Sequence, residues 1–254
     1  MPTVTSRSRF RSCAPWPGRR LSLYAAALVA LALAPLWRAE ARIANAQRVT
    51  LHSDDGVTLA AAWYEPSTRP APAVILVHML QKSRRDWDPL ATRLSSEGIA
   101  VLALDLRGHG ESQGSAQDHN AMVQDVRAAR RFAASRPEVT PAKIGLAGAS
   151  FGATLAALVA AEDASVTAVV LLSPTLEYRG MRIDGALRKY GARPLLLVAS
   201  DDDGYAMRTV KELQKAGAGR ETIVLNRAGN GTSMLAADAD LGRRVVEWFR
   251  RTLL

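Results

Sequence analysis

The sequence predicts an α/β fold, a doubly wound and mostly parallel sheet, and three features carry that expectation. Short continuous apolar runs recur at Ala73–Val77, Ala100–Leu104, Ile144–Ala147, Val166–Leu172, Leu195–Ala199 and Ile223–Leu225. Runs this short and unalternating suit strands covered on both faces. Helix-like stretches lie between them, at Asp86–Ser96, His119–Ser135, Phe151–Ala161, Tyr205–Ala216 and Ala237–Arg251, and such alternation places helices on both sides of one sheet. A length of 254 residues with 48% apolar content supplies one core of ordinary domain size and excludes a disordered chain or a tandem array.

From the N-terminus, residues 1–46 have the order of an export leader. A basic stretch ends in Arg19-Arg20, the apolar run Leu21–Trp37 follows, and the small-residue triplets Ala39-Glu40-Ala41 and Ala44-Asn45-Ala46 come next. Cleavage after Ala46 is the preferred reading. The apolar run falls between a signal core and a spanning helix of about 20 residues, so an uncleaved anchor over residues 21–37 stays open. The expected location is periplasmic or extracellular, with membrane contact only through an uncleaved leader. The mature domain is expected over residues 47–254. It opens with an antiparallel hairpin, Arg48–His52 and Val57–Tyr64, around the turn residues Ser53-Asp54-Asp55-Gly56. The strands and helices follow in the order above, with ligands expected at the carboxyl ends of the strands.

Charge and composition remove several function classes. The net charge is +9, but the leader holds seven arginines and one glutamate, a local +6 that leaves +3 for the domain. That remainder calls for no nucleic-acid partner. The single cysteine, Cys13, lies in the leader, so the domain has no disulfide, thiolate nucleophile or cysteine-ligated metal. The four histidines, His52, His78, His109 and His119, show no metal-binding helical pairing. No cofactor and no metal are expected.

The strand ending at Ala147 runs into Gly148-Ala149-Ser150-Phe151-Gly152 and then an apolar helix. A serine on a tight strand-to-helix turn needs small neighbours, and the helix N-terminus sets a partial positive charge beside its hydroxyl. With Val74–Leu80, Leu104–Ser112 and Leu195–Asp203, this elbow makes residues 48–254 resemble the α/β-hydrolase superfamily. The likeness is to its small, lidless branch of dienelactone-hydrolase-like and esterase-like members. The resemblance implies Ser150 as nucleophile and an oxyanion hole from the backbone N–H groups of Phe151 and Leu80, with Met79 as the second choice. It implies Asp203 as the acid, with Asp202 in reserve, although three adjacent aspartates also suit a solvated loop or a cation site.

The resemblance breaks at the histidine. Where such proteins carry Gly-His-Gly after the last strand, this chain reads Gly229-Asn230-Gly231, and no histidine follows His119. Asn230 can bond to Ser150 and Asp203 but cannot take a proton at neutral pH. His78 and His109 are alternative bases at the carboxyl edge, although the resemblance gives both structural roles, and His119 and His52 read as surface residues. Only a short segment separates Pro174 from Arg193, too little for a cap domain. An open site for a small ester is expected, with Trp87 and Tyr178 as candidate walls. Arg179, Arg182, Arg188 and Lys189 read as solvated surface charge or as contacts to an acidic substrate. Two function classes stay open: a serine carboxylic-ester hydrolase with an impaired or atypical triad, and a catalytically silent binding protein of the same fold. The sequence says nothing of oligomeric state.

Overall fold

The structure is a computed structural model that describes Thr3 and residues 46–254 apart from Ala216 and Ala218. The predicted leader, with its choice between cleaved signal and anchor, lies outside the described residues. Eight strands form one sheet in the order β1-β2-β4-β3-β5-β6-β9-β10. They are β1 (Gln47–His52), β2 (Thr58–Tyr64), β3 (Ala71–Val77), β4 (Ala100–Leu104), β5 (Val139–Ala149), β6 (Val166–Leu172), β9 (Leu195–Ser200) and β10 (Arg220–Leu225). The first two pair antiparallel from Gln47↔Trp63 to His52↔Thr58 as the sequence predicts, and β2 also runs antiparallel to β4. All remaining pairs are parallel.

Strand alternation explains why the central runs are apolar throughout. In β3, Ala73, Ile75 and Val77 enter one core and Val74 and Leu76 the other. The first core is covered by α2 (Met122–Ser135), α3 (Phe151–Glu162), α4 (Asp184–Tyr190) and α5 (Gly204–Lys215). The second is covered by α1 (Asp88–Ser96) and α7 (Leu241–Leu253). Gly145 in β5 shows how closely α7 approaches, since a Cβ there would lie 2.9 Å from the Phe249 ring. Ten of the 12 residues of α3 are buried, which accounts for its all-round apolar character beneath the elbow.

The structure redraws some boundaries. The helix expected over Ala237–Arg251 is α7, which starts only at Leu241, while Ala237 ends a separate short helix, α6 (Ser233–Ala237); Asp238 Oδ1 accepts from the N–H groups of Asp240 (2.9 Å) and Leu241 (2.8 Å) at the break. Helix α2 begins at Met122 rather than His119, which lies in the preceding loop. A 3₁₀ turn, Arg84–Trp87, precedes α1. Between β6 and β9 the chain forms the short ladder β7 (Glu177–Tyr178) and β8 (Met181–Arg182) and then α4. This excursion is no cap domain. Among the described residues, no helix is long and apolar enough to cross a membrane.

Candidate active site

Ser150 occupies the junction of β5 and α3 with φ 50 and ψ −114, a conformation that costs a non-glycine residue about 1–3 kcal/mol. Its N–H donates to the Leu172 carbonyl at 2.8 Å, and its own carbonyl accepts from Ala153 N–H at 2.9 Å. The flanking glycines are steric requirements. A Cβ at Gly148 would sit 2.2 Å from the Gly152 carbonyl oxygen, and one at Gly152 would sit 2.4 Å from that of Val77 and 2.5 Å from that of His78. The start of α3 therefore crosses the end of β3 at backbone contact, which only glycine permits.

The two expected oxyanion donors flank that crossing in sequence, Phe151 at the start of α3 and Leu80 just beyond β3. Beyond β3 the chain turns through Met79–Lys82, with Lys82 N–H donating to the Met79 carbonyl at 3.3 Å and Gln81 at φ 61. Among the described residues, neither Leu80 N–H nor Phe151 N–H has a backbone acceptor. Met79, the second choice, likewise has no backbone acceptor for its N–H among the described residues. Its Sδ lies 2.6 Å from where a Cβ on Gly231 would be and 3.8 Å from Thr232 Oγ1, so it packs against the loop that carries Asn230.

The acidic loop follows β9, and each aspartate has a partner. Asp201 Oδ1 accepts from Arg227 N–H at 2.7 Å, while Asp202 Oδ1 accepts from Ser200 Oγ and from Gly229 N–H at 3.2 Å. The Ser200 hydroxyl holds the Asp202 carboxyl below its usual range. Asp203 Oδ1 accepts from Ala206 N–H at 3.0 Å and caps α5. Asp202, Asp203 and Asn230 share a cleft of about 360 Å³ with Gly204, Gly229 and Ser233. Asn230 is exposed, and among the described residues its amide bonds to neither Ser150 nor Asp203.

The backbone around Asn230 is nevertheless tightly held. Gly229 and Gly231 have φ 73 and 56, and Gly231 N–H donates to Ser173 Oγ at 2.9 Å. Thr232 Oγ1 donates to Asp86 Oδ2 at 2.8 Å. The loop is pinned by residues of three other segments, while the side chain at position 230 is left to solvent.

The family model described as serine aminopeptidase, S33, matches residues 68–238, a span that includes the elbow, the acidic loop and the Asn230 loop. The chain belongs to this family of α/β-hydrolases. An uncharacterized protein of Mycobacterium tuberculosis is 33% identical over 128 residues, covering 50% of this chain and 44% of its own. The quorum-quenching protein AidA of Acinetobacter baumannii is 28% identical over 178 residues, covering 62% and 58%. The chain spans about half the length of these curated relatives. In fold it is similar to an esterase of Pyrococcus furiosus, with TM-score 0.72 and 20% identity over 83% of this chain and 92% of that one. It is also similar to a dienelactone hydrolase of Anabaena variabilis, with TM-score 0.70 and 20% identity over 84% and 100%.

Within this S33-family domain the histidines divide by what surrounds them. His78 is fully buried, its Nδ1–H donating to the Met79 carbonyl at 2.7 Å and its Nε2 accepting from Leu106 N–H at 3.0 Å. Burial pushes the imidazole down to about 4, and with both nitrogens engaged it serves as a neutral tie between β3 and the loop after β4. The His109 ring packs 5.2 Å from that of His78. His119 is half-buried against the elbow, its ring centroid 5.4 Å from Phe151 and 5.8 Å from Tyr178. Trp87 is corrected as a wall: it is fully buried beneath α1 and α7. Tyr178 is half-buried beside Phe151, 4.9 Å from its ring. Of the nearby cations, Arg182 and Arg188 pair with Asp184.

The loop after β4 rests on buried ion pairs. Asp105 accepts from Arg84 N–H at 2.7 Å and pairs with its guanidinium. Arg107, 2% exposed, bonds to Asp125 at 2.6 Å and to Asp55 at 2.6 Å, tying α2 and the first hairpin to the carboxyl edge. Sequence reasoning missed Ser173, Asp86 and Thr232, because no local pattern signals partners brought from separate loops.

Proposed function

We propose that the chain is an exported serine hydrolase of the carboxylic-ester type. The observation that carries the reading is the strained Ser150 on its glycine-flanked turn at the start of α3, followed directly by the uncommitted N–H of Phe151. A hydroxyl held in this way attacks an ester carbonyl while the two amides receive the charge that develops on its oxygen. In this reading Asp203, or Asp202 in its place, is the acidic partner and Asn230 stands in the position of the base; these three line one cleft. The absence of a cap domain among the described residues fits a small or exposed ester. Family membership and the fold shared with an esterase and a dienelactone hydrolase support the class. The leader supports export to the periplasm or beyond, with retention by residues 21–37 as the alternative, and fractionation of cells carrying the tagged full chain distinguishes the two.

The exposed, unbonded amide of Asn230 favours a second reading, a silent binding protein. Turnover of short p-nitrophenyl esters and labelling by a fluorophosphonate separate the two. The hydrolase reading expects slow turnover and labelling by the wild type, neither by Ser150→Ala, and a gain of about 10²-fold or more in Asn230→His, where a base returns. A wild type that does neither while Asn230→His does both establishes the binding reading.

A further inference from the structure

We propose that His119 is the general base for Ser150, taking over the task that the chain cannot assign to position 230. The inference rests on the hydrolase reading of Ser150. A serine nucleophile needs an imidazole with one nitrogen fixed as a donor and the other free as an acceptor. Among the four histidines, His52 lies on the outer strand β1 and His78 has both nitrogens bonded. His109 shares the pattern of one bonded nitrogen, its Nδ1 lying 2.9 Å from the Arg107 carbonyl, but it is carried after β4 and packs on His78 rather than on the elbow. His119 packs edge-on at 5.4 Å against Phe151, the residue that follows Ser150 and supplies an oxyanion N–H.

Its tautomer suits the task. Nδ1 lies 2.8 Å from the Gln117 carbonyl, which can only accept, so the proton is on Nδ1 and the lone pair is on Nε2. A backbone carbonyl thereby fills the orienting role that an aspartate fills in a Ser-His-Asp triad. His119 sits in the loop before α2, and the role requires its Nε2 to meet the Ser150 hydroxyl directly or through one water.

The step balances without another reactant. Nε2 takes the Ser150 Oγ proton as Oγ bonds to the ester carbonyl carbon, and the π pair moves to the oxygen held by the Phe151 and Leu80 amides. Collapse of the intermediate breaks the bond to the leaving alcohol, which receives the proton from Nε2. Water then repeats the sequence on the acyl-serine, releasing the acid and restoring Ser150.

The test is a double-mutant comparison of ester turnover in two backgrounds, wild type and Asn230→His. His119→Gln and His119→Phe both remove the base, and the phenyl ring keeps the packing against Phe151 and Tyr178. In the wild-type background each is expected to lower kcat/KM by about 10²-fold or more. In the Asn230→His background, where an imidazole stands in the usual slot, each is expected to cost about twofold or less. Equal losses in the two backgrounds assign His119 to packing and overturn the inference while the hydrolase reading stands. A background-dependent loss in His109→Gln instead of the His119 variants overturns it in favour of His109. Absence of turnover by the wild type overturns the hydrolase reading and this inference together.

Discussion

Ser150 is the residue where sequence, backbone and chemistry meet most closely. Its φ of 50 is tolerable only because Gly148 and Gly152 let three backbone segments touch, with a Cβ at Gly148 falling 2.2 Å from the Gly152 carbonyl. Gly148→Ala is therefore expected to lower unfolding free energy by about 1–3 kcal/mol and to abolish fluorophosphonate labelling. Urea denaturation beside the labelling assay reads both effects. An alanine variant of unchanged stability and labelling would show that the elbow relaxes more easily than the contact implies. This motif was legible from the sequence because its requirement is local, two small residues on either side of a serine at the end of an apolar run. His119 was not legible in the same way. Its partners, Phe151 and Tyr178, arrive from two distant elements, α3 and β7, and no spacing near His119 signals their approach.

Among the elements, the central strands were readable because burial on both faces leaves them uniformly apolar. Helix α4 was not, since only Leu187 and Tyr190 of its seven residues are buried. The carboxyl edge depends on ties between elements more than on any one of them. Arg107 joins the loop after β4 to α2 through Asp125 and to the β1–β2 turn through Asp55. Removing it leaves Asp125, which is fully buried, without its counter-charge. Arg107→Leu is expected to cost about 3–5 kcal/mol, measured as a shift in the urea midpoint. The paired Arg107→Leu/Asp125→Leu variant is expected to recover part of that loss. A single variant as stable as the wild type would show that the pair does not hold the edge together.

For the molecule as a whole, the buried His78 sets a dependence of stability on pH. Its folded-state value is lowered to about 4 from 6.5 by burial, with the neighbouring His109 charge adding to the shift and Met79, Asp105 and Asp86 opposing it. Between these values the unfolded chain binds more protons than the folded one. Stability from this group is thus complete above 6.5 and lost as pH falls toward 4, by an amount on the order of 3 kcal/mol. Urea midpoints at pH 7 and pH 4.5 should show the fall, and His78→Asn should flatten it over that interval. A fall of unchanged size in His78→Asn would place the titration on other groups. The loop that pins Gly231 and Thr232 to Ser173 and Asp86 while leaving position 230 in solvent has a historical consequence. Asparagine and histidine codons differ by a single base, and nothing that folds this domain depends on the side chain between them. A lineage could therefore lose or regain a base here in one mutation, without crossing an unstable intermediate.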